Sequence, residues 1–204
     1  MSLGAKATLL AAVAALSWAG CGGEAGSSAR SQYAILKTSK GVIALRLYAD
    51  KTPKTVANFV ALAAGTKPWR DPRDGKTKRV PLYDGVPFHR VIPGFMIQTG
   101  DPQGDGEGDV GFTIADEFRP ELRYDRPGLV GMANFGPHTG ASQFFITLGP
   151  AEDLNGRNTL FGEVIAGLAV AKAISAVPRN VEFESNRPLQ AVVLEKVTVT
   201  GKRP

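Results

Sequence analysis

Apolar and polar residues alternate from Tyr33 to Tyr48, which predicts two strands joined at Ser39, Lys40 and Gly41. The period then changes. Thr52 stands where a helix cap belongs and Pro53 suits a first turn; Val56, Phe59, Val60 and Ala63 follow at the spacing of one buried face, and Gly65 ends the helix. Val91 and Ile92 read as a strand, Pro93 and Gly94 as a tight turn, and Phe95 to Thr99 as the returning strand. Two-residue alternation puts Met96 and Gln98 on one face and Phe95 and Ile97 on the other. Leu129 to Ala133, Phe144 to Thr147, Phe161 to Ile165 and Val192 to Thr200 are further strand candidates. Gly167 to Ser175 reads as a short helix with Leu168, Ala171 and Ile174 on one side. Many short strands with two helices describe a mostly β barrel in which the first helix closes one end.

Met1 to Gly20 differs in kind: one lysine, Lys6, then the uncharged run TLLAAVAALSWAG, too short for a membrane span and suited to an export signal. It stops at Cys21, the only cysteine of the chain, behind small Ala19 and Gly20, as the bacterial lipoprotein cleavage motif requires for lipidation of the new N-terminal cysteine. Trp18 departs from the aliphatic residue usual in that motif, and an ordinary secretory cleavage nearby is the alternative. Residues 1–20 are read as a signal peptide, 21–31 as a Gly/Ser/Ala-rich tether and 32–204 as one domain, in an exported periplasmic or cell-envelope lipoprotein touching the membrane only through its lipid. The formal charge of +5 is a mild excess without Lys/Arg clusters interleaved with aromatics, so nucleic acid is not an expected partner. Residues 67–80, KPWRDPRDGKTKRV, hold six basic and two acidic residues and read as a solvated loop.

The candidate chemistry gathers in Phe88 to Asp101, FHRVIPGFMIQTGD, where Arg90 and the Gln98 amide stand beside large apolar side chains. That combination suits an uncharged peptide better than acid or base chemistry. Two histidines, His89 and His138, make no metal-ligand spacing, and no cofactor is implied. His89 points away from its neighbour Arg90 in a strand and reads as structural. The GxGxxG from Gly106 to Gly111 lacks the strand before it and the helix after it that a dinucleotide site needs. Asp101, Asp105, Glu107 and Asp109 do not follow the spacing of an EF-hand.

FHRVIPGFMIQTGDP resembles a signature of the cyclophilin family of peptidyl-prolyl cis/trans isomerases; MANFGPHTGASQFFIT (132–147) and LNGRNTLFGEV (154–164) resemble its other conserved blocks, in the family's order. The resemblance covers roughly residues 33–200 and implies a closed eight-stranded antiparallel barrel capped by two α-helices, with 67–80 as an insertion. It implies a catalyst of rotation about Xaa-Pro bonds in proline-containing polypeptides, acting as a monomer without metal or cofactor; the alternative from another class is a proline-peptide binding or scaffold module. Arg90 would donate to the prolyl nitrogen, and Gln98 would orient Arg90 or bind the substrate carbonyl. Phe95, Met96, Phe145 and Leu154 would line the proline pocket, while Ala133, Asn134 and Gln143 fix the chain beside it and Gly104 or Gly106 lets a peptide backbone approach. Three positions depart from the family: Asp153 stands where many members have tryptophan, Asn158 where many have histidine, and Phe135 where a small residue is usual. The tryptophan contacts cyclosporin in the family, so binding of that inhibitor is expected to be weak here.

Overall fold

The computed structural model describes Met1, residues 32–182 and residues 185–204. Alternation turns Ala34, Leu36 and Thr38 of β1 (Gln32–Thr38) and Ile43, Leu45 and Leu47 of β2 (Gly41–Leu47) to one buried face. Thr38 stands opposite Gly41, so the turn falls where the sequence predicts but is made by Ser39 and Lys40 alone, while Gly41, expected in the turn, opens β2 at a φ of +131°.

Helix α1 (Pro53–Ala63) begins at the predicted place and buries Val56, Phe59 and Ala63, with Leu62 rather than Val60 as the fourth member of the face. Its capping differs from the expectation. Thr52 occupies the cap position, but its hydroxyl donates to Tyr48 O at 3.2 Å. The first-turn amides of Lys54 and Thr55 donate instead to Glu117 Oε1 and Oε2 at 3.2 and 2.8 Å, and the Thr55 hydroxyl adds 2.9 Å to Oε2. Helix N-termini leave such amides unpaired, and a carboxylate there also complements the helix dipole.

The basic stretch 67–80, expected to be a solvated loop, carries a small ribbon of β3 (Trp69–Arg70) and β4 (Thr77–Lys78). It is built on Asp71, whose fully buried side chain receives Arg73 Nε and Nη2 at 2.8 and 2.6 Å together with Lys78. Those hydrogen bonds, Arg73 foremost, hold the Asp71 carboxyl well below the usual carboxylate range.

The main sheet continues through β5 (Val86–Pro87), β6 (Arg90–Ile92), β7 (Met96–Thr99), β8 (Leu129–Met132), β9 (Phe144–Thr147) and β10 (Leu160–Ala166). After α2 (Leu168–Ser175) and the short pair β11 (Arg179–Asn180) and β12 (Arg187–Pro188), β13 (Val193–Thr200) completes it. Its order is β5-β13-β1-β2-β10-β8-β9-β7-β6, antiparallel throughout. The two ends of that order are halves of one run, 86–92, broken only at Phe88 and His89. Counted as one strand it makes eight, and the sheet curls until its last strand begins where its first one ends. Phe88 N–H keeps the run attached to Val192 O at 2.8 Å, while Arg90 has already crossed to Gln98.

Inside the curl lie Phe59, Tyr83, Phe144 and Phe161, with Phe59 centred 5.1–5.5 Å from each of the other three rings. Helix α1 thus closes one end, and α2 packs Ala171 and Ile174 against the same core.

Candidate active site

The site lies on the outer face of the curl, and strand alternation selects its residues. In β7, Ile97 joins the inner core while Met96 and Gln98 face out; in β9, Phe144 and Ile146 face in and Phe145 out. On β8 the outward position between Phe145 and Tyr124 is Gly131. A Cβ there would come within 2.2 Å of both Phe145 Cζ and Tyr124 Oη, so the two rings, centred 5.7 Å apart, need its bare backbone. With Met96, Leu129, Ala151 and Leu160 they form a second apolar cluster outside the barrel.

Over this cluster opens a pocket of about 200 Å³. Phe95, Met96, Phe145, Leu154 and Ala133 supply its apolar wall; Arg90, Gln98, Asn134 and Asn158 supply its polar rim. All nine are candidates from the sequence. Phe95 breaks the predicted alternation: it precedes β7, in the turn made by Gly94 at φ +75°, and therefore shares the pocket with Met96 instead of pointing away.

Arg90 is half-buried opposite Gln98 in the ladder, yet among the described residues none accepts a hydrogen bond from its guanidinium. Gln98 does not hold it. The Gln98 amide donates from Nε2 to Gln143 Oε1 at 2.9 Å, and Gln143 Nε2 donates to Gly106 O at 2.8 Å. Asn158 Nδ2 donates to Met132 O at 2.9 Å, and Asn134 Nδ2 to Arg157 O at 2.7 Å, tying two rim residues to backbone. Asp153 is exposed in the 3₁₀ turn Glu152–Leu154 beside the pocket.

A second, smaller pocket of about 80 Å³ adjoins the first and shares Gln98, Ala133 and Asn134 with it. Gln143 and Phe135 line it as well, Phe135 with 76% of its surface exposed. Of the two glycines considered for backbone approach, Gly106 lies here; Gly104 stands apart from both pockets, its Cβ position only 2.7 Å from Pro87 Cγ. Gly108, Thr139, Ala141 and Ser142 also line this pocket and were missed by sequence reasoning. Their one local signal is the density of small residues in 104–111 and 139–142.

The histidine next to Arg90 is turned inward. His89 is 5% exposed, neither ring nitrogen has a hydrogen-bond partner among the described residues, and its Cδ2 lies 3.2 Å from where a Gly106 Cβ would stand. Burial pushes its pKa down to about 4, with Asp101 and Asp105 partly opposing. Cys21, the expected lipid site, lies outside the described residues.

The lining of the larger pocket contains no carboxylate, imidazole, thiol or hydroxyl; its chemistry is one guanidinium, three amides and an apolar floor. Such a site holds an uncharged ring and acts through hydrogen bonds alone, which defines a non-covalent binder or conformational catalyst. The comparisons with known proteins are specific. The family described as "Cyclophilin type peptidyl-prolyl cis-trans isomerase/CLD" matches residues 33–199. Peptidyl-prolyl cis-trans isomerase B of Streptomyces anulatus is 51% identical over 84% of this chain and 98% of its own. Peptidyl-prolyl cis-trans isomerase A of Mycobacterium tuberculosis is 45% identical over 89% of this chain and all of its own. Among solved structures, a Cryptosporidium parvum cyclophilin type peptidyl-prolyl cis-trans isomerase superposes with a TM-score of 0.73 at 32% identity over 85% of this chain and 99% of its own. The same protein was also solved in the presence of the dipeptide Ala-Pro, with a TM-score of 0.70 at 31% identity over 82% of this chain and 98% of its own. The chain belongs to the cyclophilin-type peptidyl-prolyl cis-trans isomerases and is an enzyme of that class.

Proposed function

We propose that this isomerase acts on exported polypeptides and assists their folding outside the cytoplasm, with Arg90 as its catalytic donor. The supporting observation is a guanidinium at the rim of an apolar pocket with no hydrogen-bond acceptor among the described residues. Amide resonance sets a barrier of ~18–20 kcal/mol to rotation, and at Xaa-Pro bonds both isomers are populated enough for a catalyst to matter. As the bond twists, the prolyl nitrogen becomes pyramidal and gains a lone pair. A donor aimed there binds the twisted state more tightly than either planar one, which lowers the barrier. Arginine suits this because it stays charged and its fork can also reach the neighbouring carbonyl.

The ring of the proline would sit on Phe95, Met96, Phe145 and Leu154, anchoring one side of the bond. Asn134 and the linked Gln98–Gln143 amides would hold the chain on the other side, so rotation is confined to one bond. The second pocket would take a side chain from the residues before the proline, with Phe135 at its edge. Exchange between the cis and trans forms of an Ala-Pro peptide, followed by NMR with and without the protein, tests the catalytic reading. Binding without acceleration would leave only the proline-peptide binding module.

The leader supports the export half of this reading. Cys21 would become the lipid-bearing first residue of the mature protein, since it follows a short apolar run and small Ala19 and Gly20. Mass spectrometry of the mature N-terminus decides the point, and Cys21→Ser should leave the protein soluble or unprocessed. Equal membrane attachment and normal cleavage of that variant would refute the lipid anchor and leave the isomerase untouched.

A further inference from the structure

We infer that Asp101 is a positioning residue for the isomerase reaction, building the wall of the second pocket and setting the selectivity for the residues that precede proline. The inference rests on the reading of that pocket as the seat of such a residue. The Asp101 carboxylate is fully buried and has four backbone donors: Gln103 N–H at 2.9 Å on Oδ1, and Gly104, Asp105 and Gly106 N–H at 3.0, 3.1 and 2.7 Å on Oδ2. Successive amides pointing at one anion form a nest, and here the anion belongs to the chain itself. A buried charge without such donors would be prohibitive, so the loop must wrap around the carboxylate for the chain to fold as it does. Gly108 closes the wrap, where a Cβ would come within 2.0 Å of Asp101 Oδ1.

Gly106 and Gly108 carry no side chains, so their part of the pocket wall is backbone, and backbone position is what Asp101 sets. The order is passed on. Gly106 donates its N–H to Asp101 and accepts Gln143 Nε2 on its carbonyl, and Gln143 accepts Gln98 Nε2; Gln98 lines both pockets. Asp101 itself lines neither pocket, and its effect on substrate runs through these groups.

The test compares kcat/KM for X-Ala-Pro-Phe and Ala-X-Pro-Phe peptides, X being Gly or Val, in wild type and in Asp101→Asn. The amide is the same size as the carboxylate but turns an N–H₂ towards the facing donors. In one of the two series the wild type should discriminate Val from Gly by ~10-fold, the low end of what a few methylenes in an apolar pocket support. Asp101→Asn should bring that ratio to within about twofold of one. A merely structural role would lower the unfolding midpoint and slow both peptides alike; an unchanged ratio therefore overturns the inference. A wild type that does not discriminate in either series would overturn the pocket reading and this inference with it. Should Asp101→Asn fail to fold, Gly108→Ala displaces the same wall with the carboxylate retained, and it too must flatten the ratio or the inference is wrong.

Discussion

At the scale of single residues, Arg90 carries the sharpest expectation. Arg90→Ala should lower turnover ~10²–10³-fold, the scale for removing one preorganised donor, while weakening peptide affinity far less. A rise in KM at constant kcat would make Arg90 a binding residue only. Because no side chain lining the larger pocket titrates near neutrality, the rate should be nearly flat from about pH 6 to 8, and a bell centred there would implicate a histidine instead. Asp153 stands exposed beside Leu154, where a carboxylate offers cyclosporin acceptors only, in place of an indole N–H and an apolar face. The loss should be ~2–4 kcal/mol, roughly two to three decades of affinity, and Asp153→Trp should recover much of it in an inhibition titration. No gain in that variant would show that Asp153 does not face the ligand.

At the scale of elements, the tertiary partners of α1 and β8 are what the periodicity left open. Glu117→Ala removes the acceptor of two first-turn amides and the Thr55 hydroxyl, so it should cost ~2 kcal/mol and shift the urea midpoint with the m-value unchanged. Thr52→Ala, by contrast, should leave the helix start intact, because that hydroxyl bonds to Tyr48 O and not to the helix. If Thr52→Ala proved the more damaging of the two, the capping assignment would be reversed. The strands of the main sheet were mostly legible: β1 and β2 fall where alternation puts them, since an i, i+2 pattern is a local property of the chain, and β7 and β9 fall on the short runs read as strands. Phe95 was misread because it still belongs to the Gly94 turn and β7 begins only at Met96, so alternation does not apply to it. The ribbon β3/β4 was hidden for another reason: its organiser, Asp71, looks like one more charge in a polar run until its burial is known.

For the molecule as a whole, His89 makes acid stability a readout of the closure at 86–92. It sits at the break between β5 and β6, within electrostatic reach of Asp101 and Asp105 of the glycine-rich loop, Arg187 of β12 and its own neighbour Arg90. Its pKa is about 4 in the fold against an ordinary 6.5, so between those values the unfolded chain binds the extra proton and stability rises with pH. The full contribution is present above about 6.5 and ~3 kcal/mol of it is lost as pH falls towards 4. Asp71, held low by Arg73, loses its contribution only at lower pH, below the ordinary carboxylate value of 3.8, so the two windows separate. His89→Leu should therefore flatten the stability profile between pH 6.5 and 4, measured by urea unfolding at each pH; parallel profiles for variant and wild type would assign the acid lability elsewhere. The sequence by itself determined the strands of the main sheet other than β5, the helix α1 and the family, and through the family the nine residues of the larger pocket, because alternation, turn chemistry and contiguous motifs are written in neighbouring positions. Only the tertiary structure decided that Glu117 caps a helix 62 positions away, that Gln98 meets Gln143 and through it Gly106, and that Gly106 and Gly108 rather than Gly104 form a pocket wall. Each of those depends on how the sheet closes on the run 86–92, which brings together groups whose separation along the chain no local pattern encodes.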